Sequence, residues 1–161
     1  NMYGPGDNYD PRASHVIPAI MSRVAYAKKN NEPELEVWGS GEASREFLFV
    51  EDCAEAIRLA MENHDNDPSP INIGTGEETK IKDMIETMCE IMEYNGELVW
   101  NDRKPDGQPR RCLDVTKAKE KFGFTASTSL REGLEKTVEW FNRSMSPYKK
   151  TPKELPPTEI Y

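Results

Sequence analysis

The chain has 161 residues, 36% hydrophobic and 31% charged, a balance typical of a folded domain rather than a disordered segment. Its formal net charge of -8 argues against a general nucleic-acid or anionic-membrane surface, although a local group of arginines can still bind a phosphate. No apolar run is long enough to span a bilayer, and the three widely spaced cysteines fit neither a disulfide framework nor a zinc site. We therefore expect a cytoplasmic protein that binds no metal, nucleic acid or membrane.

The first predicted helix follows a loop, residues 6–13, that is rich in Gly, Asn, Asp and Pro. Ser14 is a suitable N-cap residue, and Pro18 falls in the first turn, where proline is tolerated. His15 at the start of the helix and Arg23 about two turns later face the same side of the molecule only if the helix lies along a cleft. Apolar residues at helical spacing define its predicted inner face, which is Ile17, Ile20, Met21 and Val24.

The segment from Val37 to Asp52 predicts a strand, a glycine turn at 39–41, a second strand and the start of a helix. Trp38 and Arg45 stand on either side of the turn. A flat apolar face beside a forked cation suits a ligand that has a ring and a phosphate. A hairpin with a packed Trp and a solvated Arg explains the same residues. A dinucleotide fingerprint is disfavoured, because Ser44 occupies the position of its third glycine.

Four more helices are predicted from capping residues that precede apolar positions at helical spacing. Their predicted caps are Asp52 (with Glu55), Thr79, Asp114 and Ser129 (with Glu132). The inner face of the first of these four is expected to carry Ala56, Ile57, Ala60 and Met61. Further short strands are expected at residues 70–73 and 97–100. This order of elements predicts an α/β fold with mixed short strands and about five helices.

A loop from Lys104 to Arg111 ends in two adjacent arginines, Arg110 and Arg111, which its Pro and Gly residues hold in a defined place. Paired arginines on a constrained loop can form an anion site, and a solvated loop explains the pattern equally well. The segment 146–161 contains four prolines and mixed charge, which indicates an extended tail. The sequence thus predicts a domain over residues 1–145 followed by this tail.

Six motifs follow one another along the chain. They are Asn1-x-Tyr3-Gly4-Pro5, Ser14-His15-Val16-Ile17-Pro18, Val37-Trp38-Gly39-x-Gly41 with Arg45-Glu46-Phe47-Leu48, Ile71-Asn72-Ile73-Gly74-x-Gly76, Lys104-Pro105-Asp106-Gly107 and Leu113-Asp114-Val115-Thr116. In this order, over about residues 1–143, they resemble the C-terminal half of an extended short-chain dehydrogenase/reductase of the NAD-dependent epimerase/dehydratase family. Within that family they are similar to the epimerase/reductases that act on GDP-4-keto-6-deoxy-mannose. The resemblance implies a Rossmann-like fold without its N-terminal half, so we expect a fragment.

The resemblance also implies roles for individual residues. Asn1, Met2, Tyr3 and Gly4 match the loop that lines the nicotinamide end of NADP. His15 matches a histidine near substrate and cofactor that acts as general acid in epimerisation, a role suited to a group that exchanges protons near neutral pH. The positions that match contacts to the GDP-sugar are Val16, Ile20, Arg23, Val37, Trp38, Arg45 and Arg111, the last standing where the family often has lysine.

The same resemblance limits the expected activity. The family's Gly-rich NADP loop and its Tyr-x-x-x-Lys pair do not occur in this sequence; Tyr26, for example, is followed by Asn30. We therefore expect a part that binds the GDP-sugar without reductase activity of its own, with NADP held mostly by the other half. The alternatives are a non-catalytic nucleotide-sugar-binding or interaction module and a fragment of a UDP- or dTDP-sugar enzyme. An exposed apolar edge around 71–73 predicts a homo-oligomer, with segments exchanged between copies.

Overall fold

A computed structural model describes residues 1–10, 13–63, 68–104 and 106–144 of the chain. Within these residues the fold is α/β with five helices and short strands, as predicted. The helices are α1 (Val16–Asn30), α2 (Val50–Asn63), α3 (Ile81–Ile91), α4 (Thr116–Phe122) and α5 (Leu130–Ser144). The strands are β1 (Met2–Tyr3), β2 (Glu34–Trp38), β3 (Ser44–Arg45), β4 (Leu48–Phe49), β5 (Thr79–Lys80), β6 (Glu97–Asn101) and β7 (Arg110–Arg111). The predicted tail at 146–161 lies outside the described residues.

The strands form three small sheets. β1 pairs with β4 and β2 with β6, both in parallel, and the second pair runs in register from Glu34 opposite Glu97 to Trp38 opposite Asn101. β3 is the central strand of the third sheet, antiparallel to β5 and parallel to β7. The alternative hairpin over residues 37–52 is therefore wrong, because β2, β3 and β4 each pair with a distant segment of the chain.

The larger of two hydrophobic cores is built by α1, α3, α5 and the β2–β6 pair. The inner face predicted for α1 is buried, and Met84, Ile85 and Met88 of α3 are completely buried. β2 alternates as a half-buried strand should, with Leu35 and Val37 inside and glutamates outside. α3 contacts both α1 and α5, so this helix is the centre of the larger core.

The smaller core lies between α2 and α4. Its buried members are Leu48, Ala56, Ala118, Phe122 and Phe124. The inner face predicted for α2 is wrong at two positions, since Ile57 is 56% exposed and Met61 is 83% exposed. The side of α2 that faces the protein carries Asp52, Ala56, Leu59 and Ala60, and this stripe is rotated around the helix from the predicted one.

One of the predicted caps is confirmed: the Ser129 hydroxyl accepts the Glu132 amide at 3.2 Å. The other four are wrong. Asp114 lies one residue before the N-cap of α4, which is Val115, and accepts the Thr116 amide at 2.9 Å. α1 begins after His15 without a side-chain cap, Lys80 precedes α3, and Asp52 lies inside α2. Buried Asp52 instead accepts hydrogen bonds from the Ser127 hydroxyl and the Thr128 amide, both at 3.0 Å, because a second segment offers it donors.

No strand forms at the predicted position 70–73 in the part of the chain that the structure describes. Ile71 and Ile73 are half-buried against the smaller core, where no neighbouring segment pairs with their backbone. Among the described residues, the large apolar side chains that are mostly exposed lie elsewhere, at Met2, Ile57, Met61 and Val99.

Candidate functional site

The candidate site is centred on two arginines that the short strands β3 and β7 bring together. Arg45 and Arg111 are direct register partners in this parallel pair. Arg45 is only 3% exposed, and its Nη1 donates to the carbonyl oxygens of Ser44 at 2.7 Å and Gln108 at 2.6 Å. Its Nη2 is buried and has no hydrogen-bond partner among the described residues. One donor of the guanidinium is therefore unpaired beside a second guanidinium.

This arrangement is electrostatically unfavourable without a ligand. Burial lowers the pKa of the Arg45 guanidinium, and the positive charge of Arg111 lowers it further. An arginine remains protonated in spite of such shifts, so two like charges stay close together. A buried donor without a partner costs about 1–3 kcal/mol, and more when it is charged. An anionic oxygen next to Arg45 Nη2 would relieve both penalties.

Arg110, next to Arg111 on β7, is engaged differently. Its guanidinium donates a hydrogen bond to the Glu78 carboxylate, and this bond raises the pKa of Arg110. The same carboxylate accepts a hydrogen bond from the Ser44 hydroxyl at 2.8 Å. Among the described residues no ion pair engages Arg111, which is exposed. The loop pattern alone treats the two arginines alike, whereas the family resemblance selected Arg111; in the structure Arg111 is the register partner of Arg45 and Arg110 is that of Ser44.

Trp38 lies at the end of β2 and is half-buried, with the Lys104 ammonium 4.4 Å from the centre of its ring. The loop that carries Lys104 is fastened to the glycine turn by Asp106, which accepts the Ser40 amide at 2.5 Å and the Ser40 hydroxyl at 2.8 Å. Gly39 has φ +84°, and a Cβ there would lie 2.4 Å from the Asp106 carboxylate, so glycine permits this contact. The loop 104–111 thus touches the segment 38–45 at both ends.

The predicted cofactor loop is mostly packed against the protein. Asn1 and Met2 are exposed, whereas the Tyr3 ring is 3% exposed and its hydroxyl donates to the Leu130 carbonyl at 3.3 Å. Gly4 is buried, and a Cβ there would lie 2.4 Å from a methyl carbon of Val50. The Asn1 side-chain amide donates to the Glu46 carbonyl at 3.1 Å, which places this loop beside the residue that follows Arg45.

The remaining predicted site residues lie on or near α1. His15 is exposed at the N-cap position, and Val16 is half-buried. Ile20 and Val37 are completely or almost completely buried in the larger core. The Arg23 guanidinium is half-buried and donates to the Glu36 carbonyl of β2, and burial lowers its pKa. The structure therefore brings Asn1, Arg45 and Arg111 together, while Arg23 contacts the backbone of β2 at a separate place.

Four contributors to this site are not among the residues that the sequence identified: Glu46, Lys104, Asp106 and the carbonyl of Gln108. Glu46 is 3% exposed and makes three contacts through its carboxylate. Glu46 belongs to one of the six motifs but has no role predicted from it; the signal for its role is a charged residue beside an apolar run, which indicates a buried and therefore hydrogen-bonded group.

Other features of the described residues do not compete with this site. None of the described helices has the length and apolar character that crossing a membrane would require. No group of three or more His, Cys, Asp or Glu within the described ranges is placed to hold a metal ion. A cavity of about 650 Å³ lies between the Gly74–Thr75 turn and α4, and it contains none of the predicted site residues.

Comparisons of the sequence and of the structure with known proteins point to the same family. Residues 1–74 match the NAD dependent epimerase/dehydratase family model. A putative GDP-L-fucose synthase from Arabidopsis thaliana is 43% identical over 141 residues, which are 88% of this chain and 42% of that protein. A GDP-L-fucose synthetase from Naegleria fowleri bound to NADP superimposes with a TM-score of 0.84 at 27% identity, over 93% of this chain and 47% of that one.

A UDP-glucose 4-epimerase from Thermotoga maritima, solved with UDP-glucose, is 35% identical in sequence and superimposes with a TM-score of 0.76. The match covers 90% of this chain and 44% of the epimerase chain. The chain spans less than half the length of each of these relatives. The resemblance found in the sequence motifs is confirmed at the level of family and fold. The chain therefore belongs to the NAD-dependent epimerase/dehydratase family and corresponds to the C-terminal part of its longer members.

Proposed function

We propose that this chain is the nucleotide-sugar-binding part of an NADP-dependent epimerase/reductase that converts GDP-4-keto-6-deoxy-mannose to GDP-L-fucose. The observation that carries the proposal is the buried Arg45 Nη2, which has no partner among the described residues and lies beside Arg111. The diphosphate of a nucleotide sugar offers anionic oxygens that accept charge-assisted hydrogen bonds from both groups. Local charge thus explains how a chain of net charge -8 binds an anionic ligand.

The base of the nucleotide is assigned to Trp38, at the other end of the segment that carries Arg45. The indole is half-buried and presents a ring face, which the Lys104 ammonium covers at 4.4 Å. A stacked base and this ammonium compete for the same face, so binding exchanges one for the other. Val16 and Arg23 complete the proposed substrate contacts, with Arg23 placed along β2 by its bond to Glu36. Ile20 and Val37, whose side chains are buried in the larger core, would support this surface from beneath.

His15 is proposed as the general acid of the epimerisation. It is exposed at the start of α1, and an imidazole can both donate and recover a proton near neutral pH. NADP, when bound, supplies the hydride chemistry. Of the five residues predicted to contact it, Asn1, Met2 and His15 have exposed side chains, so this chain fits one edge of the cofactor. We propose that residues 1–145 form this functional unit and that it has no reductase activity by itself.

Titration calorimetry with GDP tests the proposed diphosphate site. Arg45→Ala and Arg111→Ala should each weaken binding about tenfold or more, because a hydrogen bond to a charged group contributes roughly 1.5–3 kcal/mol. Arg110→Ala is the matched control, since Arg110 is adjacent and exposed but pairs with Glu78. It should change the affinity less than about twofold. Equal losses in all three variants would mean that general positive charge, and not this site, binds the nucleotide.

The second candidate is a UDP-sugar enzyme, which the 35% identity to the UDP-glucose 4-epimerase favours. The diphosphate contacts are the same in both cases, so only the base distinguishes them. Titrating the wild-type chain with GDP, UDP and dTDP under identical conditions separates the two candidates. Tighter binding of GDP supports the first, and tighter binding of UDP supports the second.

A further inference from the structure

Glu46 is a buried carboxylate with an unusual set of partners. Its Oε2 accepts the Gly76 amide at 3.1 Å, the Leu113 amide at 3.3 Å and the Cys112 thiol at 3.5 Å. The pKa of that thiol is raised, first by its burial and then by the hydrogen bond to Glu46. The carboxylate thus binds three neutral donors that come from two separate loops.

The close approach of Gly74 fixes the other carboxylate oxygen. A Cβ added at Gly74 would lie 2.0 Å from Glu46 Oε1, so the carboxylate would have to move to accommodate any other residue there. The Glu46 carbonyl oxygen in turn accepts the Asn1 side-chain amide at 3.1 Å. One residue therefore holds the first loop of the chain, the turn at 74–76 and the segment 112–113 against the end of β3.

This position matters for Arg111 because β7 is very short. β7 has two residues, and an isolated ladder of this length is weak. Its N-terminal side is anchored by the Ser44 amide, which donates to the Pro109 carbonyl at 2.9 Å, and by Arg45, which donates to Gln108. Glu46 anchors its C-terminal side through Cys112 and Leu113, so Arg111 lies between two anchors.

We infer that Glu46 is a positioning residue that holds Arg111 beside Arg45 and thereby sets the spacing of the two guanidinium groups for an anionic diphosphate. Glu46 acts through β7 and does not itself contact the ligand. The inference rests on the proposed function for the identity of the ligand. The fixed placement of β7 does not depend on it and is measurable in the chain without ligand.

Hydrogen exchange by NMR tests the placement of β7 first. Glu46→Gln keeps the size of the side chain but replaces one acceptor oxygen by a donor, so the Leu113 and Gly76 amides should exchange about tenfold faster. Amides of the β2–β6 pair should be unchanged. Glu42→Gln is the matched control, since Glu42 is exposed and binds only Lys80 and Lys82 among the described residues. Unchanged exchange at Leu113 in Glu46→Gln would overturn the inference, whatever GDP does.

A double-mutant cycle then separates positioning from general destabilisation. If Glu46 acts through Arg111, Glu46→Gln should weaken the binding of GDP about tenfold in the wild-type background and less than about twofold in the Arg111→Ala background. Equal effects in both backgrounds would overturn the inference. If the wild-type chain binds no GDP, the proposed function fails and the exchange data alone decide the placement of β7.

Gly74→Ala is a second variant for the case in which Glu46→Gln does not fold. It pushes Oε1 out of its place and leaves every charge and both arginines unchanged. Weaker GDP binding by a folded Gly74→Ala chain supports the inference, and unchanged binding overturns it.

Discussion

The two hydrophobic cores differ in how completely the chain covers them. In the larger core, around α3, the side chains of Met21, Met84, Ile85 and Leu134 are entirely inaccessible to solvent. In the smaller core, α2 buries only Asp52 and Ala56 and leaves Ile57 and Met61 largely in solvent. The larger core is closed by this chain alone, whereas α2 presents an apolar side that nothing in the described residues covers. Stability and association should therefore reside in different parts of the molecule.

A leucine-to-alanine substitution made in each core should give the largest difference in the free energy of unfolding. Leu134→Ala removes a completely buried side chain and should lower the free energy of unfolding by about 2–5 kcal/mol. Leu59→Ala removes a half-buried side chain from the side of α2 that packs against the smaller core and should lower it by about 1 kcal/mol. Urea unfolding followed by circular dichroism measures both. Equal losses would show that the smaller core is as well closed as the larger one.

Alkaline pH should act on the larger core through a buried thiol. Burial raises the pKa of Cys89 from about 9 to about 11. Between these pH values the unfolded chain loses the proton and the folded chain keeps it, so stability falls as pH rises, by roughly 2–3 kcal/mol in all. Urea midpoints at pH 9 and pH 11 should show this loss, which Cys89→Ala should reduce.

Burial also raises the pKa values of Tyr3 and Tyr9. The wild type and the Cys89→Ala variant therefore both lose further stability at the upper end of this pH range. The informative quantity is therefore the difference between wild type and variant. Cys53→Ala, which removes a half-buried thiol from α2, controls for the loss of a thiol. Parallel curves for wild type and Cys89→Ala would show that the buried thiol has no part in the alkaline loss.

The sequence predicted the larger core well because α1, α3 and α5 each bury one stripe whose spacing is readable along the chain. It failed for α2 because both possible stripes contain apolar residues, and the choice between them depends on Asp52 finding donors at Ser127 and Thr128. A local pattern contains no information about a partner 75 positions away.

In the candidate site, too, the sequence predicts some features and only the tertiary structure shows the others. Motif order identified Arg45 and Arg111, but their pairing across β3 and β7 is a tertiary contact that no spacing reveals. The loop pattern alone gives Arg110 and Arg111 the same role, and the ion pair of Arg110 with Glu78 is the tertiary contact that separates them. The burial of Glu46 is of the same kind, since its donors lie 30 and 67 positions away along the chain.

The smallest expected change in stability comes from the exposed side of α2. Met61→Lys should alter the free energy of unfolding by less than about 0.5 kcal/mol, because Met61 is 83% exposed. It should nevertheless reduce self-association, since a charge placed beside Ile57 opposes burial of this apolar side against another molecule. Sedimentation velocity over a range of protein concentrations measures this. Asn63→Lys, which adds the same charge elsewhere around the helix, should leave association unchanged, and an equal reduction by both would place the interface away from this side of α2.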